Sequence, residues 1–91
     1  MESILQVEKK CFLCGRQTML ECHHALHGTA NRKNSEHYGL KVWLCRDCHT
    51  GTNGVHRNRE KDLKVIRYAQ EKFEEQYGRE EFIKVFGKNY L

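Results

Sequence analysis

The chain has 91 residues, of which 38% are apolar and 31% charged, so it has room for one small domain, residues 1–91. No apolar run approaches the ~18 residues that cross a membrane, and the N-terminal residues lack the cleavage site of a secretory signal. We therefore expect a cytoplasmic protein with no membrane partner. Residues 1–59 hold nine Lys or Arg against five acidic residues, whereas residues 60–91 hold seven of each. A basic half favours a polyanionic partner, with nucleic acid as the first candidate.

The cysteines predict a metal site. There are five, an odd number with no export signal, which argues for a reducing compartment and against a disulfide framework. Four form two Cys-x-x-Cys pairs, Cys11 with Cys14 and Cys45 with Cys48, separated by thirty residues. This spacing is typical of a tetrahedral structural zinc, whose binding can supply folding energy. A redox dithiol would need a neighbouring βαβ pattern, which neither pair has. Cys22 is left over, and we expect it to be a small buried side chain beside the histidines.

The first half of the chain reads as two short strands with turns around them. The first ten residues are predicted to be a short strand or helix that packs on the rest. Residues 19–24 and 41–45 are rich in β-formers and predict two strands. The polar stretch 28–39 between them predicts a long loop, and the two glycines within 48–54 interrupt any regular helix there.

The second half is predicted to be helical. Apolar residues recur every three or four positions over residues 59–77, which predicts a helix that ends near Gly78. A second short helix should follow and end at Gly87. We expect the apolar faces to close the small core rather than to bind a ligand. They comprise Leu63, Ile66, Ala69, Phe73 and Tyr77 in the first helix and Phe82, Val85 and Phe86 in the second.

Six histidines carry the candidate chemistry. His23 and His24 are adjacent at the end of the first predicted strand, and His49 directly follows the second cysteine pair. If the four cysteines share one ion, the hairpin returns the histidine pair toward His49. Such a group offers nitrogen ligands for a second metal and a further imidazole as a base. Since neighbouring strand residues point to opposite faces, both members of the pair can serve one phosphate only if the strand bends there.

The order of CFLC, ECHH and WLCRDCH resembles the HNH family of nucleases, which have a ββα-metal active site. The resemblance covers residues 11–56, with zinc knuckles and an active-site hairpin, and leaves 59–91 as a helical C-terminal part. Within that part, the segment FEEQYGREEFIKVFGKNYL, residues 73–91, resembles small HNH-like proteins of bacteriophages and prophages. The resemblance implies a small α+β domain, a ββα-metal hairpin and helix held by a four-cysteine zinc site, in the cytoplasm of a bacterial host.

The family implies a role for each matching histidine. His23 and His49 match the ligands of the catalytic divalent ion, and His24 matches the general base. His56 is a further candidate ligand. Leu40 occupies the position at which the family has its central Asn, so this chain departs from the family pattern there. Asn31, Asn34 or His37 are candidates for the Asn's role of orienting the base, while His27 and His37 are otherwise expected to be loop residues near the substrate.

These features predict a metal-dependent DNA endonuclease. It would use a structural Zn²⁺ and one catalytic Mg²⁺, Mn²⁺, Ni²⁺ or Zn²⁺, and in this family the products carry 5′-phosphate and 3′-hydroxyl ends. Candidate phosphate contacts are Arg32, Lys33, Arg57 and Arg59. Two alternatives remain open: a zinc-binding DNA module of the same ancestry without catalysis, and a protein whose helical C-terminus docks on a phage or host partner.

Overall fold

A hairpin of two antiparallel strands lies at the centre of the computed structural model, which describes residues 2–91. β1 (Leu20–His24) pairs with β2 (Lys41–Cys45) in a register that sets His23 opposite Val42. The strands lie within one residue of the predicted ranges. Val42 is buried, so this face of the hairpin, including His23, turns toward the interior.

Four helices complete a small α+β fold, as the sequence predicts. They are α1 (Thr29–Tyr38), α2 (Arg46–His49), α3 (Arg59–Tyr77) and α4 (Arg79–Phe86). The order of two strands followed directly by the short α2 gives a ββα-like layout. None of the helices within residues 2–91 is long and apolar enough to cross a membrane.

The prediction of a long loop over 28–39 is wrong, because ten of these residues form α1. The helix has a mostly polar, exposed surface, so its apolar periodicity is too weak to mark it in the sequence. Tertiary contacts hold it instead: the buried Ser35 hydroxyl donates to Leu26 O at 2.8 Å and accepts from the Leu26 N–H at 3.1 Å. α1 ends at Gly39, which has a φ of 73° and where a Cβ would collide with the Glu2 carbonyl oxygen.

The N-terminal segment packs on the hairpin as expected but forms neither a strand nor a helix over residues 2–10. Leu5 is buried in the core, and the Ile4 N–H donates to Gly39 O at 2.9 Å. The Trp43 N–H donates to the side-chain oxygen of Gln6 at 2.7 Å. Because a side chain takes this backbone donor of β2, no third strand forms on this edge.

The two C-terminal helices close the core, and both were predicted. Phe73 of α3 and Phe82 of α4 are fully buried with ring centroids 5.5 Å apart, and Tyr38 of α1 packs on Phe73 at 5.0 Å. The buried stripe of α3 is rotated from the predicted one, since Tyr77 is exposed and Leu63 only half-buried. The residues that are buried on α3 are Asp62, Val65, Ile66, Ala69, Gln70 and Phe73.

Candidate functional site

The two cysteine pairs come together at one end of the hairpin. The sulfurs of Cys11, Cys14, Cys45 and Cys48 all lie within 4.8 Å of one another, and Cys14 Sγ is 3.6 Å from Cys45 Sγ. Sulfurs bound at about 2.3 Å to a tetrahedral zinc lie about 3.8 Å apart. The cluster therefore has the donor set and the spread of a structural metal site, as the spacing predicts.

The cysteine cluster is also prepared electrostatically for a cation. Burial alone would raise the pKa of the Cys11 thiol, but hydrogen bonds from backbone amides, including that of Cys14 at 3.4 Å, lower it to about 6. Burial and the three neighbouring sulfurs raise the pKa of Cys48. Thiolates are the metal-binding form. Crowded sulfurs of this kind can all ionise only with a cation between them.

The cysteine cluster positions two histidines. Cys45 ends β2 and Cys48 lies in α2, so His49 directly follows a sulfur donor in a fixed turn of helix. The chain then turns back, and the His56 N–H reaches the His49 carbonyl oxygen at 3.5 Å. A Cβ on Gly54 would lie 2.7 Å from that oxygen, so only glycine lets the loop approach this closely.

His23, His49 and His56 form a second group, called here the histidine cluster. Each offers a ring nitrogen, and these atoms lie within 4.8 Å of one another. The ring of His23 is 5.1 Å from that of His49 and 5.4 Å from that of His56, centroid to centroid. His23 is only 3% exposed, and within residues 2–91 its Nε2 is the one buried side-chain nitrogen or oxygen that has no hydrogen-bond partner. A buried, unpaired ring nitrogen on a histidine that lies beside two other imidazoles fits a metal ligand.

Two members of the histidine cluster, His23 and His56, favour the neutral, ligating form. Burial, helped by the neighbouring imidazoles of His49 and His56, lowers the pKa of His23 to about 3. Burial also lowers the pKa of His56. His49 Nδ1 lies 2.8 Å from Glu21 Oε1, and this hydrogen bond leaves Nε2 for a metal. Glu21 was missed in the sequence, although it lies two residues before His23 and therefore on the same face of β1.

His24 does not join the histidine cluster. β1 has no bulge at the histidine pair, since His23 and His24 pair in regular register with Val42 and Lys41, and the two side chains therefore project from opposite faces. His24 Nε2 lies 2.9 Å from Glu36 Oε1 of α1, and Lys41 Nζ lies 2.8 Å from Glu36 Oε2. No sequence pattern marked Glu36, because α1 itself was predicted to be a loop.

Two further histidines were expected to lie in loops near the substrate. His27 does follow β1, with its ring 5.9 Å from that of His23, and its Nε2 lies 3.1 Å from an oxygen of the buried Asp62. His37 lies in α1 rather than in a loop, and its ring packs on Tyr38. His27 therefore borders the histidine cluster.

An open cleft of about 1060 Å³ joins these groups. The histidine cluster, His24, Arg32 and Lys33 all contribute to its wall, whereas Arg57 and Arg59 do not, and Arg59 instead pairs with Asp62 at 3.0 Å. Cys22 also lines the cleft and is exposed, so the prediction that it is buried is wrong. Strand alternation turns it to the opposite face from His23. The complete lining is Cys22, His23, His24, His27, Gly28, Thr29, Arg32, Lys33, Glu36, His49 and His56.

No family model, curated protein or solved structure matches this chain in comparisons with known proteins. The function of the chain is therefore inferred from its own residues and their arrangement.

Proposed function

We propose that the chain is a metal-dependent DNA endonuclease of the HNH type, with a structural zinc in the cysteine cluster and a catalytic divalent ion in the histidine cluster. The observation that carries the proposal is the buried, unpartnered Nε2 of His23, whose ring lies beside those of His49 and His56 at the wall of an open cleft. A purely structural histidine at 3% exposure would normally have a hydrogen-bond partner.

The layout supports this choice of nuclease class. The motifs CFLC, ECHH and WLCRDCH lie on the knuckle, β1, β2 and α2 of a ββα-like unit. The family ligands correspond to His23 and His49, which are neighbours in the structure. His56 completes a set of three protein ligands, a number that leaves coordination positions for substrate or water.

Each residue of the site would have its own role in the cleavage of the phosphodiester bond. When bound, the divalent ion would neutralise charge that develops on the phosphate and the leaving oxygen. Glu21 would orient His49 through its Nδ1. Arg32 and Lys33, which have no ion-pair partner within residues 2–91, would hold the phosphodiester backbone. His24 projects from the other face of β1, but it lines the same cleft as His23, and from there it would take a proton from the attacking water.

A plasmid-nicking assay with magnesium, manganese, nickel and zinc compared in parallel tests the proposal. We expect cleavage by the parent protein and its loss in His23→Ala and His49→Ala, with partial rescue by excess metal. His24→Ala should lose about 10²–10⁴ in rate without rescue, because added metal can refill a weakened site but cannot replace a base. His37→Ala, which removes a histidine outside the cleft lining, is the matched control. A parent protein that is inactive with every metal contradicts the proposal.

Two observations favour a catalytically inactive DNA-binding module as the second candidate. The family's central Asn is replaced by Leu40, which is fully buried, and His24 faces Glu36 rather than the histidine cluster. This candidate predicts salt-sensitive DNA binding with no cleavage by the parent or by any of the variants.

A further inference from the structure

Resting on the proposed function, we infer that Glu36 is the positioning residue of the general base. It replaces the missing Asn and holds His24 with the proton on Nε2, so that Nδ1 is the atom that accepts a proton from water. Glu36 lies outside the sequence motifs, on a helix that the sequence did not predict.

The contact is well defined on both sides. Glu36 Oε1 lies 2.9 Å from His24 Nε2, and Glu36 Oε2 lies 2.8 Å from Lys41 Nζ. His24 and Lys41 are direct cross-strand partners, so their side chains project from the same face of the hairpin. The Glu36 carboxylate therefore contacts both members of this cross-strand pair. The His24 side chain is 16% exposed.

The chemistry of the partner decides which nitrogen carries the proton. An ionised carboxylate only accepts hydrogen bonds, so the Nε2 beside it must be the donor. Lys41 helps to keep Glu36 ionised, since the ammonium group and then His24 lower the pKa of the Glu36 carboxyl far below its usual range. In the neutral ring Nδ1 then has a free lone pair, and the structure gives it no hydrogen-bond partner within residues 2–91.

The residues expected to replace the Asn do not reach His24. Asn34 donates to Val85 O at 3.3 Å and so joins α1 to α4. His37 packs on Tyr38. No hydrogen bond within residues 2–91 connects Asn31 to His24, whose one such partner there is Glu36.

The substitution Glu36→Gln separates this role from packing, because it keeps the shape and changes one acceptor into a donor. Lys41 can only donate, so it should attract the amide oxygen and turn the NH₂ group toward His24. Nε2 would then accept, and the proton would move to Nδ1. The variant should thus hold His24 in the wrong tautomer while leaving the fold intact.

The experiment combines ¹⁵N NMR of the imidazole nitrogens with cleavage kinetics, on the full zinc-loaded chain at about pH 9, where a free imidazole is neutral. We expect His24 in the parent to carry its proton on Nε2 and Glu36→Gln to shift it to Nδ1. In the cleavage assay kcat should fall about 10²–10⁴-fold. KM should be unchanged or lower, because a negative charge has left the cleft. The matched control Glu75→Gln, which removes an exposed ion pair with Lys72 on α3, should change neither reading.

The positioning role of Glu36 and the proposed endonuclease function can be refuted separately. A parent His24 with its proton on Nδ1, or a tautomer unchanged in Glu36→Gln, overturns the positioning role whether or not the protein cuts DNA. A tautomer that shifts with kcat unaltered also overturns it. A parent that cuts no DNA, with the expected tautomers, refutes the proposed function and with it the identity of His24 as a base.

Discussion

Without a second metal, His23→Leu should be at least as stable as the parent. With the second metal added, the parent should be the more stable of the two. Leucine has a similar volume and no polar atom, so it removes the unpaired, buried Nε2. An unsatisfied buried polar group costs about 1–3 kcal/mol. The zinc-loaded variant without a second metal should therefore be as stable as the parent, or more stable by about that amount.

Added Ni²⁺ should stabilise the parent far more than the variant. A ligand at about 100 times its Kd contributes about 2.7 kcal/mol to the free energy of unfolding. For a domain of this size each 1 kcal/mol shifts Tm by about 4–8 °C, so the parent should gain roughly 10–20 °C. His23→Leu should gain far less, since the buried member of the ligand set is gone.

Thermal unfolding followed by circular dichroism, with and without Ni²⁺, measures both effects. His37→Leu is the control, because His37 lies outside the histidine cluster and should leave the metal response intact. If Ni²⁺ raises the Tm of His23→Leu as much as that of the parent, the second metal does not bind at the histidine cluster. If the variant without added Ni²⁺ is instead several kcal/mol less stable, the argument from the orphaned nitrogen is wrong.

Three more outcomes are expected. Burial lowers the pKa of His23 to about 3, whereas an unfolded histidine takes up its proton below about pH 6.5. Between these two pH values the unfolded state therefore binds one proton more than the folded state. The free energy of unfolding should fall as the pH drops from about 6.5 toward 3, by up to about 1.4 kcal/mol per pH unit. Urea unfolding at several pH values across this range measures this effect, and the free energy of unfolding should depend less steeply on pH in His23→Leu than in the parent. Cys45→Ser should lose the structural zinc and unfold, whereas Cys22→Ser should keep the metal, as zinc analysis and circular dichroism will show. Arg32→Ala and Lys33→Ala should each weaken DNA binding and reduce the slope of log K against log salt by up to about 0.9, and an unchanged slope would place the DNA elsewhere.

Much of the scaffold could be predicted from local patterns. The Cys-x-x-Cys spacing predicted the cysteine cluster, because a tetrahedral site needs two knuckles and the sequence contains two. β-formers predicted the hairpin, and apolar periodicity predicted α3 and α4. The same patterns placed Tyr77 in the core, but it is exposed, because the buried face of α3 is rotated from the predicted one.

Only the tertiary structure decided how the histidines divide. Adjacent residues of a regular strand point to opposite faces, so His23 turns inward to His49 and His56 while His24 turns to Glu36. Strand alternation predicted these opposite faces, but the sequence could not show whether a bend at the pair would bring both histidines to one site. Nor could it show Glu36, because α1 has little apolar periodicity and is held by contacts distant in sequence, such as that between Asn34 and Val85. Local patterns report short-range preferences, whereas the partners of a buried or catalytic nitrogen depend on which elements the folded chain brings together.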